Sequence, residues 1–355
     1  MSINSFFLIL LLILNTSITS SNASVRIESP IDPVKIRQLM QDQIDMGPRV
    51  PGTQASLDFQ TWLIEIIDTT VWEINTHSFD YNGIELRNYW IVGAGASDYP
   101  NYIIGAHYDS RAVADKEPST SPVPGANDGA SGVAGILELI RHIPTNMVSN
   151  FGFVLFDGED QGSNGIKDAN NISWPWIVGS NYFVSQMTAN QIDQTRAFVL
   201  YDMIADDDFR LPYEPNSNST LISQFWGQAE SLGYGDIFVD QRGTGLIDDH
   251  IPFKNAGIPS IDIIDFTYPE YHTTLDDMDH ISETSVAIVV DVTLEWIINV
   301  VALEIIDECY PSSACSVNTS TNNDTTSANT NFPSIFSLLL FPLIIMIRSY
   351  IKRKN

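Results

Sequence analysis

Carboxylates and histidines recur at five places in this 355-residue chain, each after an apolar run or a turn rich in glycine. Carboxylate oxygen and neutral imidazole nitrogen are the ligands of catalytic zinc, which keeps one coordination position open for substrate. The chain has only six histidines, so those at these places are candidate metal ligands. The segments are "GAHYDS" (105–110), "GANDGASG" (125–132), "FDGED" (156–160), "LYDMIAD" (200–206), and "DDHIPF" (248–253) with "EYHTTLDD" (270–277).

The apolar runs near these segments have the length and composition of buried β-strands. Helical periodicity is present in residues 132–143 and 282–306, and Ser282 is a candidate N-cap of the second helix. This alternation predicts an α/β fold, a three-layer sandwich with a mostly parallel central sheet, which binds ligands at the carboxyl ends of its strands. The strand candidates are "NYWIVGAGA" (88–96), "NYIIGAHYDS" (101–110), "FGFVLFDGED" (151–160) and "AFVLYDMIAD" (197–206).

A sheet of this kind brings many carboxylates into a small volume. Like charges a few ångströms apart repel each other by several kcal/mol, so a positive charge must offset them. No lysine or arginine falls in the five segments, and the nearest is Arg111, so a bound divalent cation is the simplest solution. The converging carboxylates are Asp109, Asp128, Glu159, Asp160, Asp202, Asp248 and Asp249.

The order of these motifs resembles the M28 metallopeptidase superfamily and, within it, the zinc-dependent glutaminyl cyclases of the animal and bacterial type. The resemblance covers roughly residues 35 to 300, with "MGPRVPGT" near its start. It implies the zinc-exopeptidase-like fold. The motifs that carry it are "HYD", "NDGASGVA", "FDGED", "YDMI", "DDHIPF" and "YHTTLDD".

The resemblance also implies metal ligands. In the peptidases, two zinc ions would be held by His107, Asp128, Asp160, Asp202 and His272. In the cyclases, a single zinc ion would be held by Asp128, Asp160 and His272 alone. The chain departs from the usual Glu-Glu pair, because Asp160 stands at the second position. The Thr and Asp residues after His272 are expected to orient its ring.

Two details favour the cyclase branch. Peptidases commonly have serine where Asp248 stands, and Tyr268 to His272 form an aromatic-Pro-Glu-aromatic-His pattern similar to the cyclase pocket. Against this, Tyr271 replaces the tryptophan that usually precedes the zinc histidine. The predicted substrate pocket comprises Tyr268, Tyr271 and one of Trp174 or Trp176.

The predicted reaction is cyclisation of an N-terminal glutamine of a peptide or protein to pyroglutamate, with release of ammonia. The resemblance implies that Glu159 moves the proton, and that Asp202 and Asp248 share protons with it. The alternative is a two-zinc aminopeptidase, whose complete ligand set is also present. A non-catalytic receptor or adhesion domain of the same fold is a third possibility.

Composition and the chain ends indicate where the protein works. The formal net charge of −27 makes nucleic acid an unfavourable partner. Residues 1–23 have the apolar core and small-residue end of a signal peptide, and 24–308 are the predicted catalytic domain. Residues 309–331 are a Ser/Thr/Asn-rich stalk, and 332–351 form a hydrophobic anchor with a basic end. The protein is therefore expected at the cell surface, with Cys309 and Cys315 either bonded or free.

Overall fold

The computed structural model describes residues 29–162, 171 and 173–309, with side chains up to residue 305. The predicted signal peptide and membrane anchor, and the predicted stalk beyond Cys309, lie outside the described residues. The strands are β1 (Trp72–Tyr81), β2 (Ile84–Gly93), β3 (Tyr102–His107), β4 (Phe151–Phe156), β5 (Ala197–Asp202), β6 (Leu211–Tyr213), β7 (Phe238–Arg242) and β8 (Ser260–Ile264). The α-helices are α1 (Pro33–Asp45), α2 (Gln54–Ile66), α3 (Ala130–Ile140), α4 (Val178–Gln186), α5 (Ala189–Gln194), α6 (Ser219–Leu232), α7 (His250–Ala256), α8 (Glu283–Trp296) and α9 (Ala302–Cys309), with a 3₁₀ turn at Val148–Asn150 and a π segment at Ile297–Val301.

The main sheet of the described region has the strand order β1-β2-β4-β3-β5-β8. Strand β3 is parallel to β4 and β5, and β5 is parallel to β8, whereas β2 is antiparallel to β1 and β4. Every residue of β3, β4, β5 and β8 is buried, as expected for parallel strands covered on both faces. The predicted α/β fold with a mostly parallel sheet is confirmed.

Alternate residues of the central strands enter two separate cores, because neighbouring side chains of a strand point to opposite faces. Ile104 and Val199 pack in the core that includes residues of α1, α3 and α8. Ile103 and Phe198 pack in the other core with Phe253 of α7, whose ring stacks on Phe198 at a centroid distance of 3.7 Å. The sheet is therefore the middle layer of three.

The second predicted helix starts where expected, at Glu283 after Ser282. Ser282 is the N-cap residue, as predicted, although its side chain makes no capping hydrogen bond. By length and composition the apolar stretch Glu283–Ile305 could cross a membrane, but more than half of its most apolar window is buried inside the protein. It packs against α3 and α6 as a helix of the core.

Candidate active site and metal centres

The carboxyl ends of the central strands bring the predicted residues together at one edge of the sheet. Strand β3 ends at His107, β5 ends at Asp202, and β4 leads into the turn that carries Glu159 and Asp160. In that turn Gly158 has φ +76°, a left-handed conformation that favours glycine. The buried carboxylate of Asp109 accepts hydrogen bonds from the backbone N–H groups of Glu159 and Asp160 at 3.0 and 3.2 Å.

Two sets of three buried side chains could each hold a metal ion, and Asp128 belongs to both. Asp128, Asp160 and His272 form one set, which we call the His272 centre. His107, Asp128 and Asp202 form the other, the His107 centre. Within each set the donor atoms lie within 4.8 Å of one another. The structure thus places together every ligand that the sequence predicted for either one or two metals.

The donor atoms of the His272 centre suit zinc. His272 Nε2 lies 3.0 Å from Asp160 Oδ1 and 3.8 Å from Asp128 Oδ2. Asp128 Oδ2 and Asp160 Oδ2 are buried and make no hydrogen bond within the described residues. Buried carboxylate oxygens without a partner are unfavourable unless a cation compensates them. One nitrogen and two carboxylates match the three protein ligands of a catalytic zinc site.

The His107 centre has a similar arrangement. His107 Nε2 lies 3.1 Å from Asp128 Oδ1 and 3.2 Å from Asp202 Oδ1. The ring is buried, and its Nδ1 lies 3.1 Å from the carbonyl oxygen of Asp109. If Nδ1 carries the proton and donates it to this carbonyl, Nε2 keeps its lone pair for a metal. The donor geometry alone therefore permits a second ion.

Asp115 orients the ring of His272, and this partner differs from the predicted one. His272 Nδ1 lies 2.8 Å from Asp115 Oδ1, whereas the Thr and Asp residues after His272 make no hydrogen bond to the ring among the described residues. Asp276 instead accepts the backbone N–H groups of Asn127 and Asp128 at 2.7 and 3.1 Å. It therefore supports the loop that carries the shared ligand Asp128.

The backbone of His272 is itself in an uncommon conformation. Its φ of +59° lies in the left-handed region, which costs a non-glycine residue roughly 1–2 kcal/mol. Such conformations persist where the surrounding contacts determine them, and they concentrate at functional sites. The bond to Asp115 and the ring contact described below supply such constraints.

Glu159 is buried beside other carboxylates. Burial raises the pKa of Glu159 well above its usual value; the charges of Asp248 and Asp249 raise it further, and His107 opposes them. Burial and the charge of Asp202 likewise raise the pKa of Asp248, to about 7. The family resemblance implied that Asp202 and Asp248 share protons with Glu159; burial is the larger cause of its raised pKa, and Asp248 is one of the charges that add to it.

Asp248 also belongs to a third buried cluster. Asp248, His250 and Asp262 also have donor atoms within 4.8 Å of one another. His250 Nε2 lies 3.3 Å from Glu214 Oε2, and Nδ1 lies 3.5 Å from Asp262 Oδ2. The segment that contains His250 could be identified from the sequence, but its partners Glu214 and Asp262 could not, because they come from distant parts of the chain.

A cation also lies at the site, contrary to the expectation from the five segments. Arg111 is only 3% exposed, and its Nη1 donates to Asp160 Oδ1 at 3.2 Å and to the Asp160 carbonyl at 2.7 Å. Its Nη2 donates to Asp115 Oδ2 at 2.7 Å. Arg49 is a second buried guanidinium, whose charge interacts with Asp109, Asp128 and Asp276. Two guanidinium groups cannot balance all the carboxylates gathered here, so the need for further positive charge remains.

Two aromatic rings contact His272. The Tyr271 ring has its centroid 3.6 Å from that of His272, and the Trp176 ring stacks nearly parallel to His272 at 5.9 Å. A Cβ on Gly162 would lie 2.2 Å from the Trp176 ring, so this close approach requires glycine.

The other two predicted pocket residues lie deeper. Trp174 is buried against Leu86 and Val178, in a small core of its own. Tyr268 is buried, and its hydroxyl donates to Asp276 at 3.1 Å. Of the two predicted tryptophans, Trp176 is therefore the one that contacts His272.

Known proteins of two activities resemble the chain. The profile of peptidase family M28 matches residues 91–297. The glutaminyl cyclase of Bacteroides thetaiotaomicron, solved with N-acetylhistamine, is 28% identical with a TM-score of 0.67, covering 76% of this chain and 99% of that one. A leucine aminopeptidase precursor from the same bacterium is 27% identical with a TM-score of 0.66, covering 76% and 97%. Aminopeptidase YwaD of Bacillus subtilis is 26% identical over 195 residues, which are 51% of this chain and 36% of that protein.

Proposed function

Because the chain belongs to peptidase family M28, whose relatives include both peptidases and a cyclase, we propose that it is a zinc-dependent glutaminyl-peptide cyclotransferase. It would convert the N-terminal glutamine of peptides or proteins to pyroglutamate and release ammonia. The alternative within the family is a two-zinc aminopeptidase. The likeness to the Bacteroides cyclase supports the proposal, although the aminopeptidase precursor is almost equally similar.

The observation that carries the proposal is the buried acidic group beside the His272 centre. Cyclisation requires one residue to take a proton from the α-amine and give it to the leaving nitrogen. Glu159 has a pKa raised by burial, so its carboxylate is a stronger base than an ordinary one. Asp248, with a pKa of about 7, is able to hold a proton next to it at neutral pH. The pairing of Glu159 with Asp248 suits a catalytic carboxylate that must first accept a proton and then donate it.

Besides this acid–base pair, the reaction needs a group that polarises the amide carbonyl and groups that hold the α-amine. A zinc ion held by Asp128, Asp160 and His272 would act as a Lewis acid that polarises the side-chain amide carbonyl of the glutamine. Glu159 takes a proton from the α-amine, the amine nitrogen bonds to the amide carbon, and the carbon–nitrogen bond to the NH₂ group breaks. Glu159 returns the proton to the departing nitrogen, which leaves as ammonia. Asp202 and Asp248 would hold the α-amine in place.

The substrate pocket is proposed to form around His272. Tyr271 and Trp176 contact its ring and would enclose the glutamine side chain, with Tyr268 behind them. N-Acetylhistamine, which the Bacteroides cyclase binds, carries an imidazole that could occupy such a pocket. This chain is therefore expected to bind the same compound.

The direct test compares two peptides that differ only in the first residue, glutamine or leucine. The full-length chain loaded with zinc should reduce the mass of the Gln peptide by that of one ammonia and leave the Leu peptide intact. Release of free leucine would establish the aminopeptidase instead. A chain that changes neither peptide yet binds zinc would support the non-catalytic reading.

The two tryptophans allow a matched test of the pocket. Trp176→Ala is expected to raise KM for a Gln peptide about tenfold, the equivalent of roughly 1.4 kcal/mol of lost contact, with a smaller change in kcat. Trp174→Phe should lower the thermal midpoint without changing KM, because Trp174 is buried in its own core. Steady-state kinetics with a peptide series would check both, and equal KM values for the two variants would contradict the assignment.

A further inference from the structure

The two candidate metal centres differ in what holds their histidines. His272 Nδ1 lies 2.8 Å from a carboxylate oxygen of Asp115, whereas the nearest partner of His107 Nδ1 is the carbonyl oxygen of Asp109 at 3.1 Å, with the Asp109 carboxylate farther away at 3.6 Å. A carboxylate partner makes the imidazole more basic and fixes its orientation more strongly than a neutral carbonyl does. Of the two histidines, His272 is therefore the more basic and the more firmly oriented metal ligand.

Arg111 increases this difference. Its two terminal nitrogens reach Asp160, a ligand of the His272 centre, and Asp115, the partner of His272. Two of the three ligands of that centre are thus tied to one guanidinium. Within the described part of the chain, no hydrogen bond or ion pair joins Arg111 to His107, Asp128 or Asp202.

The guanidinium is held firmly in this position. It is buried, it donates to the carbonyl oxygens of Asp160 and Gly162 at 2.7 and 2.8 Å, and it lies 5.0 Å from the centroid of the Trp176 ring. Arginine has a planar fork that serves several acceptors at once and can stack on an aromatic face. Lysine offers a point charge on a flexible stem and cannot reproduce these contacts together.

We propose that Arg111 and Asp115 act as a positioning pair that makes the His272 centre the high-affinity metal centre of this protein. Arg111 offsets the repulsion between Asp160 and Asp115 and holds both carboxylates at the angle that the centre needs. In the His107 centre the nearest carboxylate lies 3.6 Å from His107 Nδ1, and among the described residues Arg111 contacts none of the three ligands, so this centre binds metal more weakly. The proposal deepens the proposed function, on which it rests for the expectation of a single working zinc ion.

The test measures zinc affinity and uses no peptide. His107→Ala removes the second centre and His272→Ala the first, so each centre is studied alone in the full-length chain by competition with a chromophoric chelator. Adding Arg111→Met should weaken zinc binding about 10- to 100-fold in the His107→Ala background, the usual effect of removing an outer-shell partner. In the His272→Ala background the change should stay below about threefold.

Three further variants keep the result interpretable. Arg111→Lys should still weaken the His272 centre, because the fork is lost although the charge remains. Asp115→Asn should act like Arg111→Met, and it serves as the test if the latter fails to fold. Arg37→Met, which removes an exposed ion pair to Glu283, should change neither centre.

Equal weakening in both backgrounds, or no weakening of the His272 centre by any of the three variants at Arg111 and Asp115, would overturn the proposal. Failure of the proposed function gives a different result. If the wild-type chain releases leucine from peptides while its two centres differ in affinity as described, the cyclase assignment is wrong and the positioning pair stands.

Discussion

Glu159→Gln is expected to lower kcat by about 10²- to 10⁴-fold while the protein still binds zinc. This is the usual contribution of a general acid–base group, and Glu159 would serve both proton transfers of the cyclisation. The substitution keeps the size of the side chain but removes its ability to accept a proton. Glu159 belongs to neither ligand set, so the metal donors remain in place.

The measurements are single-turnover kinetics with a Gln peptide and zinc content by atomic emission. Glu117→Gln is a matched control, because Glu117 accepts a hydrogen bond from the backbone of Thr274 and belongs to neither set of metal ligands. It should retain activity near that of the wild type. A Glu159→Gln variant that turns over normally would remove Glu159 as the proton carrier. Loss of zinc would instead indicate that Glu159 holds the metal.

Much of the candidate metal site could be predicted because its candidate ligands follow a local rule. His107 and Asp202 are the last residues of buried strands, and Asp160 lies four residues beyond the end of another. Parallel strands place their carboxyl ends at one edge, so an apolar run followed by an acidic residue is enough to locate them. Loop residues such as Asp128 and His272 needed the family resemblance, because no periodic pattern fixes their position.

Arg111 and Asp115 were not predicted to take part, for a physical reason. Arg111 lies one residue beyond the first of the five acidic segments, so the charges within the segments alone do not include it. Its reach to Asp160 depends on how the loop after β3 folds back over the turn after β4, which no local pattern encodes. The one signal available in the sequence was an arginine four residues after a candidate metal histidine, His107.

The same limit applies to the partners of His272. Asp276 stands four residues from it and Asp115 stands 157 residues away, yet only Asp115 contacts the ring. Closeness in sequence favoured the wrong carboxylate, because no local pattern predicts the left-handed backbone of His272 or the approach of the loop that carries Asp115. Trp174 and Trp176 also show that closeness in sequence does not identify the contact. They are two residues apart, yet Trp176 stacks on His272 and Trp174 packs in a separate core.

His272→Ala is expected to weaken the tightest zinc binding by on the order of 100- to 1000-fold. Structural zinc sites contribute about 10–16 kcal/mol through four ligands, so one ligand accounts for roughly 2.5–4 kcal/mol. The loss should be larger than for any outer-shell variant, and it should abolish peptide turnover. Chelator competition measures the affinity.

Thermal stability provides an independent measurement of zinc binding. Zinc that binds only the folded chain raises the free energy of unfolding in proportion to the logarithm of its concentration over Kd. Wild-type protein should therefore lose thermal stability when a chelator is added, and His272→Ala should respond far less at the same zinc concentration. His280→Ala removes a half-exposed histidine from the same loop, where it pairs with Asp277, and should keep the wild-type response. If the chelator leaves the wild-type midpoint unchanged, the carboxylates of Asp128 and Asp160 tolerate each other without a cation, and the metal centre has no basis.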